Sequence, residues 1–456
     1  MKIWMLAVLI AASSLIAQER ETAPPLGTPK PFGVPAGETF TLKNGMKVTL
    51  AQYGAIPLVS IRADIAFGHA NENADQVWIS DLLIELIKEG TTSMTAQQVA
   101  NEAARMGGQL NFNAGIDASS AGIEVLSEFT SDAVKLLADV LEHPKLPPGE
   151  LERVRGNLLR QLAVQLATPQ AQANQVFAAT LYPDHPYGRL FPTEEQLKRY
   201  GMEDVRKFYA ANVGAQRTHF YVVGRFDPAV RKTIETAFAD WNAGPPVERN
   251  PPKAIAKPQL VVVDRPGAVQ STLRLGIPIA VTPTDADYIP LEVTDTLLGG
   301  AFTSRITNNI REQKGYTYSP FSEVVACFHT TRWQESADVT TKFTADSIRE
   351  ILLEVNRLRK DPPDAKELTG IQNFLGGIFV LQNSSNQGII GQFSFLELHG
   401  LSEDYLKTYV QKVNAVSRGD IQRITESYLD PGKMTLVVVG DKAKIEESLK
   451  PYQPKP

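Results

Sequence analysis

The chain repeats itself once at long range, and that repeat constrains its fold more than any other feature. Phe129-Thr130-Ser131-Asp132 in the first half is echoed by Phe343-Thr344-Ala345-Asp346 in the second. Each phrase is followed at similar distance by a proline pair, Pro147-Pro148 and Pro362-Pro363, that introduces another helix. Near the end of each half an Asp starts a helix (Asp204, Asp420). An apolar run closing on glycine follows, Phe220-Tyr221-Val222-Val223-Gly224 and Leu436-Val437-Val438-Val439-Gly440. The offset stays at roughly 214 to 216 residues, far longer than a solenoid period and suited to domain duplication. The Pro-rich tract from Gly244 to Lys253 falls between the copies and reads as an extended linker. The expected layout is one domain over 38–243, a linker over 244–258 and a second domain over 259–450. At 456 residues the chain is too long for a single core.

Within each half the pattern is strands, then helices, then a returning strand. Phe40 to Leu50 predicts a hairpin around Asn44-Gly45, the strongest short turn signal. Val59, Ile61, Ala63, Ile65 and Phe67 alternate as a half-buried strand does. Helical stretches follow from Val77, from Ala96 and from Asp132. The expected fold class is therefore α+β: two homologous domains, each a mostly antiparallel sheet covered by helices.

The first of those helices, Val77 to Glu89, stops at Gly90 and exits through Thr91. Its length, apolar spacing and Lys88-Glu89-Gly90-Thr91 exit resemble the pitrilysin/insulinase family of zinc metallopeptidases. So do the two-domain plan over nearly the whole mature chain and the phrase Leu181-Tyr182-Pro183-Asp184-His185-Pro186-Tyr187-Gly188-Arg189. In that family this helix carries an inverted motif, H-x-x-E-H, whose two His bind zinc and whose Glu activates water. Aligned on the Gly-Thr exit, the His positions fall on Asp81 and Glu85, and the base position falls on Ile84. The family's third ligand, a Glu of a later helix, falls on Gln161. The resemblance implies the fold without the metal: no zinc site is expected in this chain.

No replacement chemistry stands out elsewhere. The six His (His69, His143, His185, His219, His329, His399) are scattered singly. His69-Ala70-Asn71-Glu72-Asn73 holds the first His and the Glu of the motif, but it ends in Asn and lies in a Gly/Asn-rich turn, so it reads as a loop. Asp81 and Glu85 share a helix face at i,i+4 spacing and read as a solvated acidic face, since hard cations want about six oxygens. His185 reads as a loop-packing side chain. Cys327 reads as a small buried hydrophobe, and a single Cys allows no internal disulfide, which fits a periplasm. A net charge of −5 gives no reason to expect nucleic acid, and no basic run points to a membrane surface. Met1-Lys2, the apolar run to Ile16 and Ala17 read as a secretory signal over 1–17, too short to span a membrane comfortably. A Pro-rich arm over 18–37 follows it. No membrane span is expected in the mature chain.

The chemistry that survives is in the second half. Leu297-Leu298-Gly299-Gly300-Ala301-Phe302-Thr303-Ser304-Arg305-Ile306 predicts a Gly-containing turn entering a helix, which runs into Arg311-Glu312-Gln313-Lys314-Gly315-Tyr316-Thr317-Tyr318. This resembles the family's phrase in which Arg and Tyr, seven residues apart, line the cleft opposite the zinc. Arg311 and Tyr318 match it, with Tyr316 where an apolar residue is more usual. A Tyr hydroxyl can stabilise the oxyanion of peptide hydrolysis, and an Arg fork can hold substrate carbonyls or a terminal carboxylate.

Some members of the family work as two chains, one bearing zinc and the other bearing the Arg/Tyr pair. The resemblance implies that second role: a non-catalytic subunit of a periplasmic zinc peptidase heterodimer. Its partners would be a homologous subunit that holds the zinc and an extended peptide substrate. The alternatives are a degenerate peptidase fold kept as a scaffold or peptide-binding module, and a stand-alone hydrolase, for which no Ser-His-Asp, Cys-His or metal set is found.

Overall fold

A computed structural model describes residues 33–454. The stretch expected as a secretory signal and most of the expected Pro-rich arm lie outside the described residues. In the first half, β1 (Glu38–Thr41) and β2 (Lys47–Gln52) form the expected hairpin. They join β3 (Leu58–Ile65), β4 (Asn111–Asn113), β5 (Ser119–Leu126) and β6 (Thr218–Gly224) in a sheet of order β1-β2-β6-β3-β5-β4. In the second half, β7 (Gln259–Asp264), β8 (Gln270–Ile279), β9 (Phe321–Cys327), β10 (Thr330–Thr340) and β11 (Thr435–Gly440) take the order β7-β11-β8-β10-β9. Removing β1 leaves two sheets with the same connectivity. In each, the returning strand runs parallel to one neighbour (β6 with β2, β11 with β7), and every other pair is antiparallel. The duplication legible in the sequence is a duplication of topology. Residues 244–258 carry neither helix nor strand.

The helices of each half cover one face of its own sheet. In the first half Phe220 and Val222 of β6 pack with Ile79, Leu83 and Leu137 into one core. In the second, Leu436 and Val438 of β11 pack with Leu291, Ile351 and Ile424 into another. Sequence patterning led us to expect one covered face per sheet. The structure covers both, because each half lends a helix to the other. Phe177 and Leu181 of the Pro169–Leu181 helix pack on Val437 and Val439 of β11. Ile389, Ile390 and Phe393 of the Asn386–His399 helix pack on Tyr221 and Val223 of β6. Strand β6 and strand β11 are buried along their whole length for this reason.

Polar ties follow the same exchange. Arg274 Nε donates to Asn174 Oδ1 at 2.6 Å, Gln170 Nε2 to Asp338 Oδ2 at 2.9 Å, and Lys47 Nζ to Glu397 Oε1 at 2.6 Å. Gly276 in β8 is where the lent helix comes closest. A Cβ there would sit 2.8 Å from Phe177 Cζ and 2.4 Å from the Trp333 carbonyl. If the exchange couples the halves, they unfold together. Ile389→Ala removes a fully buried side chain from the first half's sheet and should cost about 2–5 kcal/mol. In urea, fluorescence of Trp78 and Trp241 should then shift midpoint together with that of Trp333. A shift confined to one half would disprove the coupling.

Candidate functional site

The helix expected from Val77 begins at Ile79 and runs to Ile87. Trp78 precedes it with φ 67°, a left-handed turn that lets the chain enter the helix from the side. No side chain of the preceding residue caps the helix. Glu72 does so from the loop: its carboxylate accepts the N–H of Trp78 at 3.0 Å and of Ser80 at 2.9 Å. Burial pushes the Glu72 carboxyl up to about 7, against the pull of His69 and of these hydrogen bonds. The His69–Asn71 stretch, expected as a loop, is a single 3-10 turn folded back over this helix.

That turn brings His69 to the place the sequence left vacant. His69 Nε2 lies 2.8 Å from Asp81 Oδ2, and Asp81 occupies the first ligand position of the inverted motif. Asp81 is therefore not part of a freely solvated face, as the spacing suggested, but half of a partly buried pair. Glu85 is likewise taken, by Lys88 at 2.5 Å. Ile84, at the base position, is 3% exposed and belongs to the core. Gln161 is exposed on the Leu151–Leu166 helix. The structure thus brings Asp81 and His69 together but leaves the four vacated positions without a shared centre. One group of donors could approach a cation: atoms of His69, Glu72 and Asp81 lie within 4.8 Å of one another. Both Glu72 oxygens already cap the helix, and His69 and Asp81 are at hydrogen-bonding rather than co-ligand separation. The set fits a cap and an ion pair better than a metal centre.

In the second half the expected turn and helix are two π-helical turns, Thr296–Gly300 and Thr307–Gln313, on either side of Phe302. Arg311 leaves the second turn between two rings. Its guanidinium lies 4.3 Å from the Phe302 ring centre and 4.8 Å from that of Tyr318, with Glu312 at 3.3 Å. Tyr318 is 79% exposed, and its hydroxyl makes no hydrogen bond among the described residues. Tyr316 instead stacks on Phe343 at 4.3 Å and so anchors the loop. Arg311 and Tyr318 line a cleft of about 400 Å³ with Gly300, Phe302, Ser319 and Phe321.

Sequence profiles match both halves. That of Insulinase (Peptidase family M16) covers residues 48–191, and that of the Peptidase M16 inactive domain covers 201–375. The chain belongs to the peptidase M16 (insulinase) family. Among its relatives, an uncharacterized zinc protease YmxG of Bacillus subtilis is 22% identical over 412 residues, 85% of this chain and 96% of that one. A Helicobacter pylori protein named non-peptidase homolog YmxG is 21% identical over 404 residues, 85% of this chain and 90% of its own. The fold is shared with a solved peptidase M16 inactive domain from Pseudomonas fluorescens (TM-score 0.80, 20% identity, 89% of this chain and 98% of that one). It is also shared with a solved protease from Helicobacter pylori (TM-score 0.83, 19% identity, 89% and 100%).

The inactive-domain match and the relative named non-peptidase homolog fit a degenerate peptidase fold. Sequence reasoning missed the groups beneath the Arg311 cleft. Asp295 accepts Trp333 Nε1 at 2.8 Å and Ser322 Oγ at 2.5 Å. Glu335 lies fully buried with both carboxyl oxygens unpartnered. The first π-helical turn rests on them: a Cβ on Gly299 would meet Ser322 Oγ at 2.4 Å and Glu335 Oε2 at 2.8 Å. The Glu in Trp333-Gln334-Glu335 was a visible signal, an acid on the inward side of an apolar alternation. Its closeness to the charge of Asp295 was not visible. His185 caps a short turn at Tyr187 N–H (3.2 Å) and contacts the Asn250 carbonyl through Nε2 (2.9 Å). Burial pushes the Cys327 thiol up to about 11, so it is no nucleophile.

Two outcomes test this electrostatic picture. Burial works to lower the pKa of His69, but the hydrogen bond and charge of Asp81, with Glu72, outweigh it and leave it above 6.5. The pair's contribution is therefore fully present below about pH 6.5 and fades as pH rises through the folded value. A His69→Ala, Asp81→Ala double-mutant cycle should give a coupling of about 0.5–1 kcal/mol in mild acid and none at about pH 9. For the buried acids the sign is opposite to that of an ordinary carboxylate. Burial pushes Asp295 up to about 7 and Glu335 well above its usual value. The contribution of Asp295 is thus present in acid and is lost as pH rises through about 7, and that of Glu335 is lost likewise as pH rises through its own raised value. Glu335→Gln should leave stability at pH 5 nearly unchanged, and raise it at pH 8–9 by on the order of 1 kcal/mol in chemical denaturation.

Proposed function

We propose that this protein is the non-catalytic subunit of a periplasmic zinc peptidase, and that it completes an active site whose zinc is held by a homologous partner. The observation that carries this reading is the cleft of the second half. Arg311 is held open between Phe302 and Tyr318, and the Tyr318 hydroxyl is free, in a chain whose own metal positions are filled by Asp81, Ile84, Glu85 and Gln161. Zinc on the partner would polarise the scissile carbonyl and activate water. Tyr318 would donate to the oxyanion that forms there. Arg311 would hold a carbonyl or terminal carboxylate of an extended peptide, its planar fork kept in place by the rings on either side. A peptide in this position would pair with a sheet edge of the zinc-bearing subunit.

A second reading, a scaffold or peptide-binding protein with no catalytic part, is favoured by one observation: a relative of nearly full-length coverage bears the name non-peptidase homolog. The two readings separate on one experiment. Hydrolysis of unfolded peptides is measured for this protein alone, for a zinc-motif homologue from the same genome alone, and for the mixture. Under the first reading only the mixture is fully active and a chelator abolishes the activity. Arg311→Ala and Tyr318→Phe each lower kcat/KM by about 10- to 1,000-fold, at unchanged thermal stability. A mixture no more active than the homologue alone, or one indifferent to both substitutions, leaves the scaffold reading.

A further inference from the structure

A second cavity, of about 930 Å³, lies between the halves and shares no lining residue with the Arg311 cleft. Its walls come from β6 and the turn before it, from the linker, from the β9–β10 hairpin and from the end of the Asn386–His399 helix. The size is that of a small-molecule site. Its charge is the unusual property.

Arg217, 5% exposed, spends two of its N–H groups on carbonyls, those of Pro246 and Ala66. Its Nε is buried without a partner, and no carboxylate among the described residues stands within ion-pair distance. A buried guanidinium without a counter-charge is costly. Burial and then Arg249, from the linker, lower the Arg217 pKa, and Glu248 of the linker opposes them in part. His399 has a buried Nε2 with no hydrogen bond. Burial, then His329 and Arg249, push its pKa down to about 4. His329 is held at φ 52° at the tip of the β9–β10 hairpin, a strained setting for a residue other than glycine.

Four basic groups therefore face one another across a space. The acids that line the cavity are already committed. Glu397 is joined to Lys47 at 2.6 Å and Asp64 to Arg62 at 2.7 Å. Asp117 accepts from Tyr187 Oη at 2.5 Å and from the Phe328 N–H at 3.2 Å, and reaches Arg249 only at 3.9 Å.

We propose that this cavity is a binding site for a small oxyanion, a carboxylate or phosphate, held among Arg217, Arg249, His329 and His399. Such a ligand supplies a counter-charge to the basic side chains of the walls. It would also touch both halves and the linker at once, so its binding stabilises their assembly by mass action. The site owes nothing to the proposed peptidase role and stands or falls separately from it.

The test is isothermal titration of the full chain with inorganic phosphate and, separately, with succinate, at constant ionic strength and pH. The expected result is one saturable site for at least one of the two anions. Its affinity should fall about tenfold or more in Arg249→Gln and in His399→Gln. Both side chains are free of structural hydrogen bonds that the substitution must break, save the long Arg249 contacts to Asp117. The two variants should keep the wild-type thermal midpoint in the absence of anion. Saturation by phosphate alone or by succinate alone decides which anion the site takes. No saturable heat from either, or equal affinity in wild type and both variants, overturns the proposal.

Discussion

Everything else in this molecule depends on the exchange of helices between its two sheets. A two-layer α+β domain leaves one sheet face open. The apolar runs of β6 and β11 would then put Tyr221 and Val223, or Val437 and Val439, into water. Neither half can bury both faces with its own helices. The Pro169–Leu181 helix covers the second sheet, and the Asn386–His399 helix covers the first, so each core is closed by the other's chain. The cavity between the halves is a consequence, and the described residues from Val34 onward form one compact unit rather than two.

The same exchange leaves a cavity between the halves whose mostly apolar wall carries a cluster of basic side chains. The lent helices seal the sheet faces along β6 and β11, but the seal ends where Asn386–His399 ends and where β9 turns into β10. There the facing surfaces carry His219, His329, His399 and two arginines among apolar side chains such as Val325 and Leu398. The walls come from segments more than 180 residues apart in sequence, so no local pattern could have announced them.

The sequence made the duplication and most elements legible because periodicity and turn chemistry are local. Asn44-Gly45, the alternation from Val59 to Phe67 and the paired prolines each act over a few residues, and each stands where it was read. The continuous apolar runs of β6 and β11 held a further clue, since strands buried on both faces lose their alternation. The site was legible only in part. Arg311 and Tyr318 meet through a seven-residue spacing that crosses a π-helical turn, which no helical wheel reproduces. His69 reads as a loop residue because its stretch ends in Asn and lies in a Gly/Asn-rich turn, yet a single turn of chain brings it within 2.8 Å of Asp81. Glu335 and Asp295 are forty residues apart and meet only when β10 lies beneath the first π-helical turn.

The two ends of the degenerate site have been treated differently by their surroundings, and the difference bears on what each is for. At the Ile79–Ile87 helix most polar groups have an internal partner: Glu72 caps the helix, His69 takes Asp81 and Lys88 takes Glu85, while Ile84 belongs to the core and Ser80 Oγ is buried without a partner. At the Arg311 cleft the opposite holds. Phe302, Tyr318 and Phe321 are 65%, 79% and 50% exposed around one guanidinium. Clustered aromatic exposure of this kind is unfavourable in an isolated protein and marks a surface that meets something else. The first end has been closed by internal pairing, while the second still presents rings, a cation and a free hydroxyl to whatever occupies the cleft.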